Sequence, residues 1–192
     1  ITDGATVTIT NDDAAEVTIA ITSGNEDDGP ITITATLDNP VQGGFTVDVS
    51  TSDVLATIAD ADYTAVVNQT LTFAGTVGET QTFSVTPIAD NKVEADETVV
   101  ITQSNLSATT LGVVIATGGR LTILNDDTTQ VTIEDITVVE ADGVANVIAT
   151  LTNPVQGGFV LNITTADGTA VATSDYTSFA DAAGATFTGT AG

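Results

Sequence analysis

Ile31-Thr32-Ile33-Thr34-Ala35-Thr36-Leu37, the turn Asn39-Pro40-Val41-Gln42-Gly43-Gly44, and then Phe45-Thr46-Val47-Asp48-Val49 decide the fold of this chain. Apolar side chains recur at every second position in both runs, so each run buries one face of a pleated strand and exposes the other. Threonine fills most outward positions, where a β-branched side chain suits a half-exposed pleated surface. Between the runs, Pro40 and the glycine pair supply turn chemistry. The same period of two continues in Leu71 and Phe73, Phe83 and Val85, and Leu121 and Ile123. Further turn signals separate these runs at Asp28-Gly29-Pro30, Gly75 to Gly78, and Gly118-Gly119. No segment has the spacing or composition of a long helix. About seven short strands per unit predict an all-β, immunoglobulin-like antiparallel β-sandwich.

The turn also reveals a tandem repeat. Asn39 to Phe45 returns unchanged as Asn153-Pro154-Val155-Gln156-Gly157-Gly158-Phe159, 114 residues later. Asn11-Asp12-Asp13 returns as Asn125-Asp126-Asp127, Val17-Thr18-Ile19 as Val131-Thr132-Ile133, and Phe73 as Phe187, all at the same offset. Asp62-Tyr63 returns one residue early as Asp175-Tyr176. This period divides the chain into residues 1–13, expected to be the last strand of a preceding repeat, a complete repeat over 14–127, and the N-terminal part of the next over 128–192. The expectation is a window on a longer array, whose ends are completed by the rest of the array or by another chain.

Composition narrows the chemistry. The 192 residues carry 26 Asp and Glu against 2 basic residues, Lys92 and Arg120, for a formal charge of −24. Such a surface repels nucleic acid and anionic lipid and attracts cations. With 42% hydrophobic residues, packed cores are expected despite the acidity. Cys, His, Met and Trp are absent, which leaves no basis for a disulfide, a thiolate, a zinc site of the usual type or a histidine base. No 20-residue apolar run occurs, so direct membrane insertion is not expected.

The acids concentrate where strands end. Glu26-Asp27-Asp28, Asp53, the run Asp90-Asn91-Lys92-Val93-Glu94-Ala95-Asp96-Glu97, and Asp126-Asp127 all fall at strand junctions. In a sandwich, junctions distant in sequence meet at one tip, where loops can offer the six to eight oxygens that calcium requires. Charge runs are also commonly plain solvated surface. Spacing alone leaves both readings open. Asp62 and Asp175, each before a tyrosine, read as loop braces, and Tyr63 and Tyr176 as core aromatics with a wet hydroxyl. Two glycosylation sequons, at Asn68 and Asn105, are short enough to arise by chance in a threonine-rich chain.

Taken together, these motifs resemble the Calx-beta domain found in sodium–calcium exchangers, integrin β4 and repetitive bacterial surface proteins. Thr165-Ala166-Asp167-Gly168-Thr169-Ala170 followed by Asp175-Tyr176 is similar to the family's central motif. Asp90, Glu94, Asp96 and Glu97 match its acidic loop, and Ile123-Leu124-Asn125-Asp126-Asp127 its closing strand. The resemblance implies calcium ligands at Glu26, Asp53, Asp90, Glu94, Glu97, Asp126 and Asp127, with the Lys92 carbonyl as a further oxygen. In the partial copies it implies Glu140 and Asp167, and Asp12 and Asp13. Ala89 and Asn125 stand where more highly charged members carry acids, implying fewer ions or weaker binding.

The expected function is a calcium-binding structural or adhesive module of a long repetitive protein. Its location would be extracellular or at the cell surface, with the ion stiffening the junctions between repeats. Its expected partners are adjacent repeats and neighbouring copies in a filament or surface layer. A calcium-sensing regulatory domain of the exchanger type is the alternative. Paired carboxylates can also hydrolyse glycosides, but no substrate cleft is indicated, and no enzyme activity is expected.

Overall fold

The alternation from Ile31 to Leu37 becomes a strand whose four apolar residues are all buried. A computed structural model describes residues 4–108, 111–116, 118–179 and 184–189. These fall into two compact units, one of residues 1–89 with 96–124, the other of residues 90–95 with 125–192.

The first unit contains β1 (Ala15–Ile19), β2 (Thr22–Asn25), β3 (Ile31–Leu37), β4 (Phe45–Asp53), β5 (Tyr63–Thr64), β6 (Gln69–Phe73), β7 (Thr80–Pro87), β8 (Glu97–Ser104), β9 (Val113–Ile115) and β10 (Arg120–Leu124). One sheet has the order β5-β7-β3-β1-β9, and the other the order β2-β10-β8-β4-β6. Their inner faces share one core: Val17, Ile33 and Val85 from one sheet meet Val47, Ile101 and Leu121 from the other, all without solvent exposure. Each such aliphatic residue contributes roughly 1.5–3 kcal/mol through burial. Among the described residues there is no α-helix.

The fold is the β-sandwich that the alternation predicts, with two parallel pairings that it does not. β1 runs parallel to β9 and β2 parallel to β10, while the other pairs of the first unit are antiparallel. The cause lies at Ala20 and Ile21, where the first strand leaves one sheet and its continuation joins the other. Glycines make the crossing possible: a Cβ on Gly119 would lie 2.2 Å from Ile19 Cγ2, and one on Gly24 would lie 2.8 Å from Ile31 Cδ1.

The Asn39–Gly44 turn is tied to the β6–β7 connection. Val41 N–H donates to Gly75 O at 2.9 Å. Gly75 has φ +91°, and a Cβ there would stand 2.0 Å from Val41 O. Only glycine fits.

The second unit contains β11 (Val131–Ile133), β12 (Ala149–Leu151), β13 (Phe159–Leu161) and β14 (Ala185–Phe187). Its pairings reproduce those of the first unit in register. Val131 faces Leu151 as Val17 faces Leu37, and Phe159 faces Phe187 as Phe45 faces Phe73. Both phenylalanine pairs are stacked, with ring centroids 5.0 Å apart in the first unit and 4.9 Å in the second. Phe159 and Leu161 are nevertheless half-buried where Phe45 and Val47 are buried. Residues 90–95 group with this unit through main-chain bonds: Val93 N–H donates to Pro154 O, and Gln156 N–H to Val93 O, each at 2.9 Å.

Candidate metal centre

Strand register gathers acids at one end of the first unit. Asp53, at the end of β4, lies opposite Val99, and Glu97, at the start of β8, opposite Ile123. Leu124 faces Asn25, which places Glu26 just beyond that edge. In the other sheet Tyr63 pairs with Pro87, and Ile88 N–H donates to Asp62 O at 3.0 Å, which brings Asp62 to the same end. The residues flanking these four acids are strand ends, which is why acids so distant in sequence converge.

Their environments differ. Glu26 is buried, at 8% exposure, and opens a single 3-10 turn, Glu26–Asp28. The carboxylate of Asp28 closes that turn by accepting Asn25 N–H at 3.2 Å. Carboxylate oxygens of Asp62 and Glu97 approach within 4.8 Å of one another. Asp62 also accepts Thr57 N–H at 2.6 Å, so it braces its loop as the sequence predicts. Its approach to Glu97 is not legible in the sequence, because only the β5–β7 pairing reveals it. Asp53 accepts the Tyr63 hydroxyl at 2.5 Å. Tyr63 is therefore a core aromatic whose hydroxyl is held by a carboxylate, where water was expected. Its burial, and then this hydrogen bond, push the hydroxyl up to about 12.

The second unit has its own acid pair. Asp90 Oδ1 accepts Lys92 N–H at 2.6 Å, curling the loop back on itself. The Lys92 ammonium pairs with Glu94 and offsets part of that charge. Glu94 N–H donates to Asn125 Oδ1 at 3.0 Å, and Asn125 Nδ2 donates to Asp127 O at 3.2 Å. Asn125, read in the sequence as a missing charge, is thus a clamp between the loop and the Asp126-Asp127 segment. Carboxylate oxygens of Asp90 and Asp127 lie within 4.8 Å of one another. Asp127 Oδ2 is shielded from solvent and accepts no hydrogen bond among the described residues.

The other candidates are more open. Asp126, Glu140, Asp12 and Asp13 are exposed. Glu140 opens a 3-10 turn that copies the one at Glu26. Asp167 copies Asp53, accepting the Tyr176 hydroxyl and Ala172 N–H, each at 2.8 Å. The amide, and then the hydroxyl, lower its pKa below the usual carboxylate range.

Two carboxylates at this separation repel by roughly 1 kcal/mol in bulk water and by roughly 3–4 kcal/mol at the lower effective dielectric near a protein surface. A shielded oxygen without a donor adds to that cost. An all-oxygen set of this kind fits a hard divalent cation, calcium above all.

A family model for the Calx-beta domain matches residues 10–128 and again residues 125–183. Among solved structures, the chain is similar to the apo form of the Calx CBD1 domain, with 24% identity and a TM-score of 0.51 over 60% of this chain and 100% of that one. It is similar also to CBD12 from CALX1.2, with 23% identity and a TM-score of 0.51 over 61% of this chain and 48% of that one. At these identities the likeness concerns the fold. No curated protein matches the chain.

Proposed function

This chain belongs to the Calx-beta domain family, and on that premise we propose that it is a calcium-binding structural module of a long repetitive protein at the cell surface or outside the cell. The observation that carries the reading is the close pair Asp90 and Asp127, with Asp127 Oδ2 shielded and lacking a donor. A cation supplies what that oxygen lacks and removes the repulsion between the two carboxylates.

The ligands that we propose are Glu26, Asp53 and Glu97 in the first unit, to which Asp62 is added for its approach to Glu97, and Asp90, Glu94, Asp126 and Asp127 in the second. Glu140 and Asp167 would serve the following copy, and Asp12 and Asp13 the preceding one. Asp126 and Asp127 immediately precede the second copy of the repeat at Thr128. An ion held by them would stiffen the chain where one repeat passes to the next. Adjacent repeats, and neighbouring copies in a filament or surface layer, are the proposed partners.

Thermal unfolding tests this. At calcium 100-fold above its Kd, one site stabilises the bound state by about 2.7 kcal/mol. The expected outcome is a higher Tm in millimolar calcium than in chelator at matched ionic strength, so that general screening of the −24 charge is held constant. Half-saturation at 10⁻⁴–10⁻³ M suits an extracellular module, whereas 10⁻⁷–10⁻⁵ M would favour a sensor. Identical melting in both buffers would refute calcium binding.

A further inference from the structure

The second unit shows what its Asn153–Gly158 turn receives; the first unit presents the same turn without that occupant. In the second unit Val93 enters as a one-residue strand, parallel to Val155, with its N–H on Pro154 O and its C=O on Gln156 N–H. Beside it, Glu94 N–H donates to Asn125 Oδ1, while Asn125 Nδ2 is held by Asp127 O. Three acceptor and donor groups thus capture the main chain of a Lys-Val-Glu segment.

All three groups recur in the first unit 114 residues earlier, as Pro40 O, Gln42 N–H and Asn11 Oδ1. The Asn39–Phe45 heptapeptide is the longest run that the aligned copies share unchanged. Asn11 is already in position, because its Nδ2 donates to Asp13 O at 3.3 Å, as Asn125 does to Asp127. Among the described residues, Pro40 O, Gln42 N–H and Asn11 Oδ1 make no hydrogen bond. They border an open cleft of about 500 Å³, lined by Asn11, Asp13, Ala15, Val41, Gln42 and Leu111 among others.

We infer that this cleft is the receptor for the acidic loop of a preceding copy of the repeat. That loop inserts the equivalent of Val93 beside Val41 and directs the equivalent of the Glu94 amide to Asn11. Each copy then takes one strand residue from the copy before it, a head-to-tail contact that leaves a donor loop at one end and a receptor cleft at the other. Main-chain bonds supply the recognition, as in other additions of an extended segment to a protein's backbone. The contact uses no carboxylate, so it is independent of the calcium reading.

Amide hydrogen exchange tests it. In the natural chain, the Gln156 amide is expected to exchange slowly and the Gln42 amide fast. In a chain of residues 1–127 joined directly to residues 14–192, which reproduces the spacing of the natural junction after Asp127, the Gln42 of the second copy should slow at least tenfold, in calcium and in chelator alike. Val93→Pro in the first copy removes one of the two main-chain bonds and should restore fast exchange. The Val47 amide, inside β4, reports that the fold persists. Equal Gln42 exchange in both chains, with Val47 protected, would overturn the inference. So would protection of Gln42 that grows with the concentration of the natural chain, since that assigns the cleft to a second molecule.

Discussion

Asp53 carries a structural role in the same side chain for which metal binding is proposed. One oxygen accepts the Tyr63 hydroxyl, and the carboxylate itself is exposed. The tyrosine pKa is raised from its ordinary 10.0 to about 12, so the stability that Tyr63 supplies is present in full below pH 10 and is lost as pH rises towards 12. Tyr63→Phe is expected to cost about 1 kcal/mol near neutral pH, from one hydrogen bond. It should also flatten the alkaline limb between those values; urea titrations at several pH values measure both effects. Glu79 works in the opposite direction. Backbone N–H groups of Ala74, Gly75 and Thr76 converge on its carboxylate and lower its pKa, with the Ala74 bond contributing most. Its stabilisation is present above the ordinary glutamate value of 4.5 and disappears as pH falls through the lowered one. Glu79→Gln should therefore weaken the protein at pH 7 and make stability less sensitive to acid, which the same titrations detect.

At the scale of elements, the two copies show how much a strand owes to its neighbours. Phe45 and Phe73 are buried, and Phe73→Ala should cost about 3–5 kcal/mol. Phe187 stacks as Phe73 does but is half-buried, so Phe187→Ala should cost distinctly less; paired denaturation curves make the comparison. Gly75→Ala must clash with Val41 O and should destabilise by more than the roughly 0.4–1 kcal/mol that such a replacement gains where the backbone suits alanine. The period-two pattern made β3, β4, β6, β7 and β10 legible, because each presents one apolar face to a single core. It could not reveal the split of the first strand at Ala20 and Ile21, since Thr22-Ser23-Gly24-Asn25 carries no apolar residue and so shows no period that would mark it as a strand of the other sheet. The acidic sets were legible as charge at strand ends. Asp62 near Glu97 was not, because the two-residue β5 that positions it is too short to show a period. Nor was the Asn125 clamp, which depends on a loop and a linker folding against each other.

For the whole molecule, the net charge of −24 means that any salt will relieve some repulsion. The proposed binding is narrower: a divalent ion at Asp90 and Asp127, where Asp127 Oδ2 is shielded and accepts no hydrogen bond among the described residues. Asp127→Asn, which removes charge without much change in shape, should raise stability in chelator by relieving the repulsion with Asp90 and should reduce the gain from calcium. A variant that is merely misfolded would lose stability in both buffers. The most direct measurement is equilibrium dialysis of the full chain against labelled calcium, with excess sodium and magnesium to suppress general counterion binding. Saturable uptake of at least one calcium per chain is expected, reduced by the Asp90→Asn, Asp127→Asn double substitution. Uptake that never saturates, or that the double substitution leaves unchanged, would contradict the proposed binding.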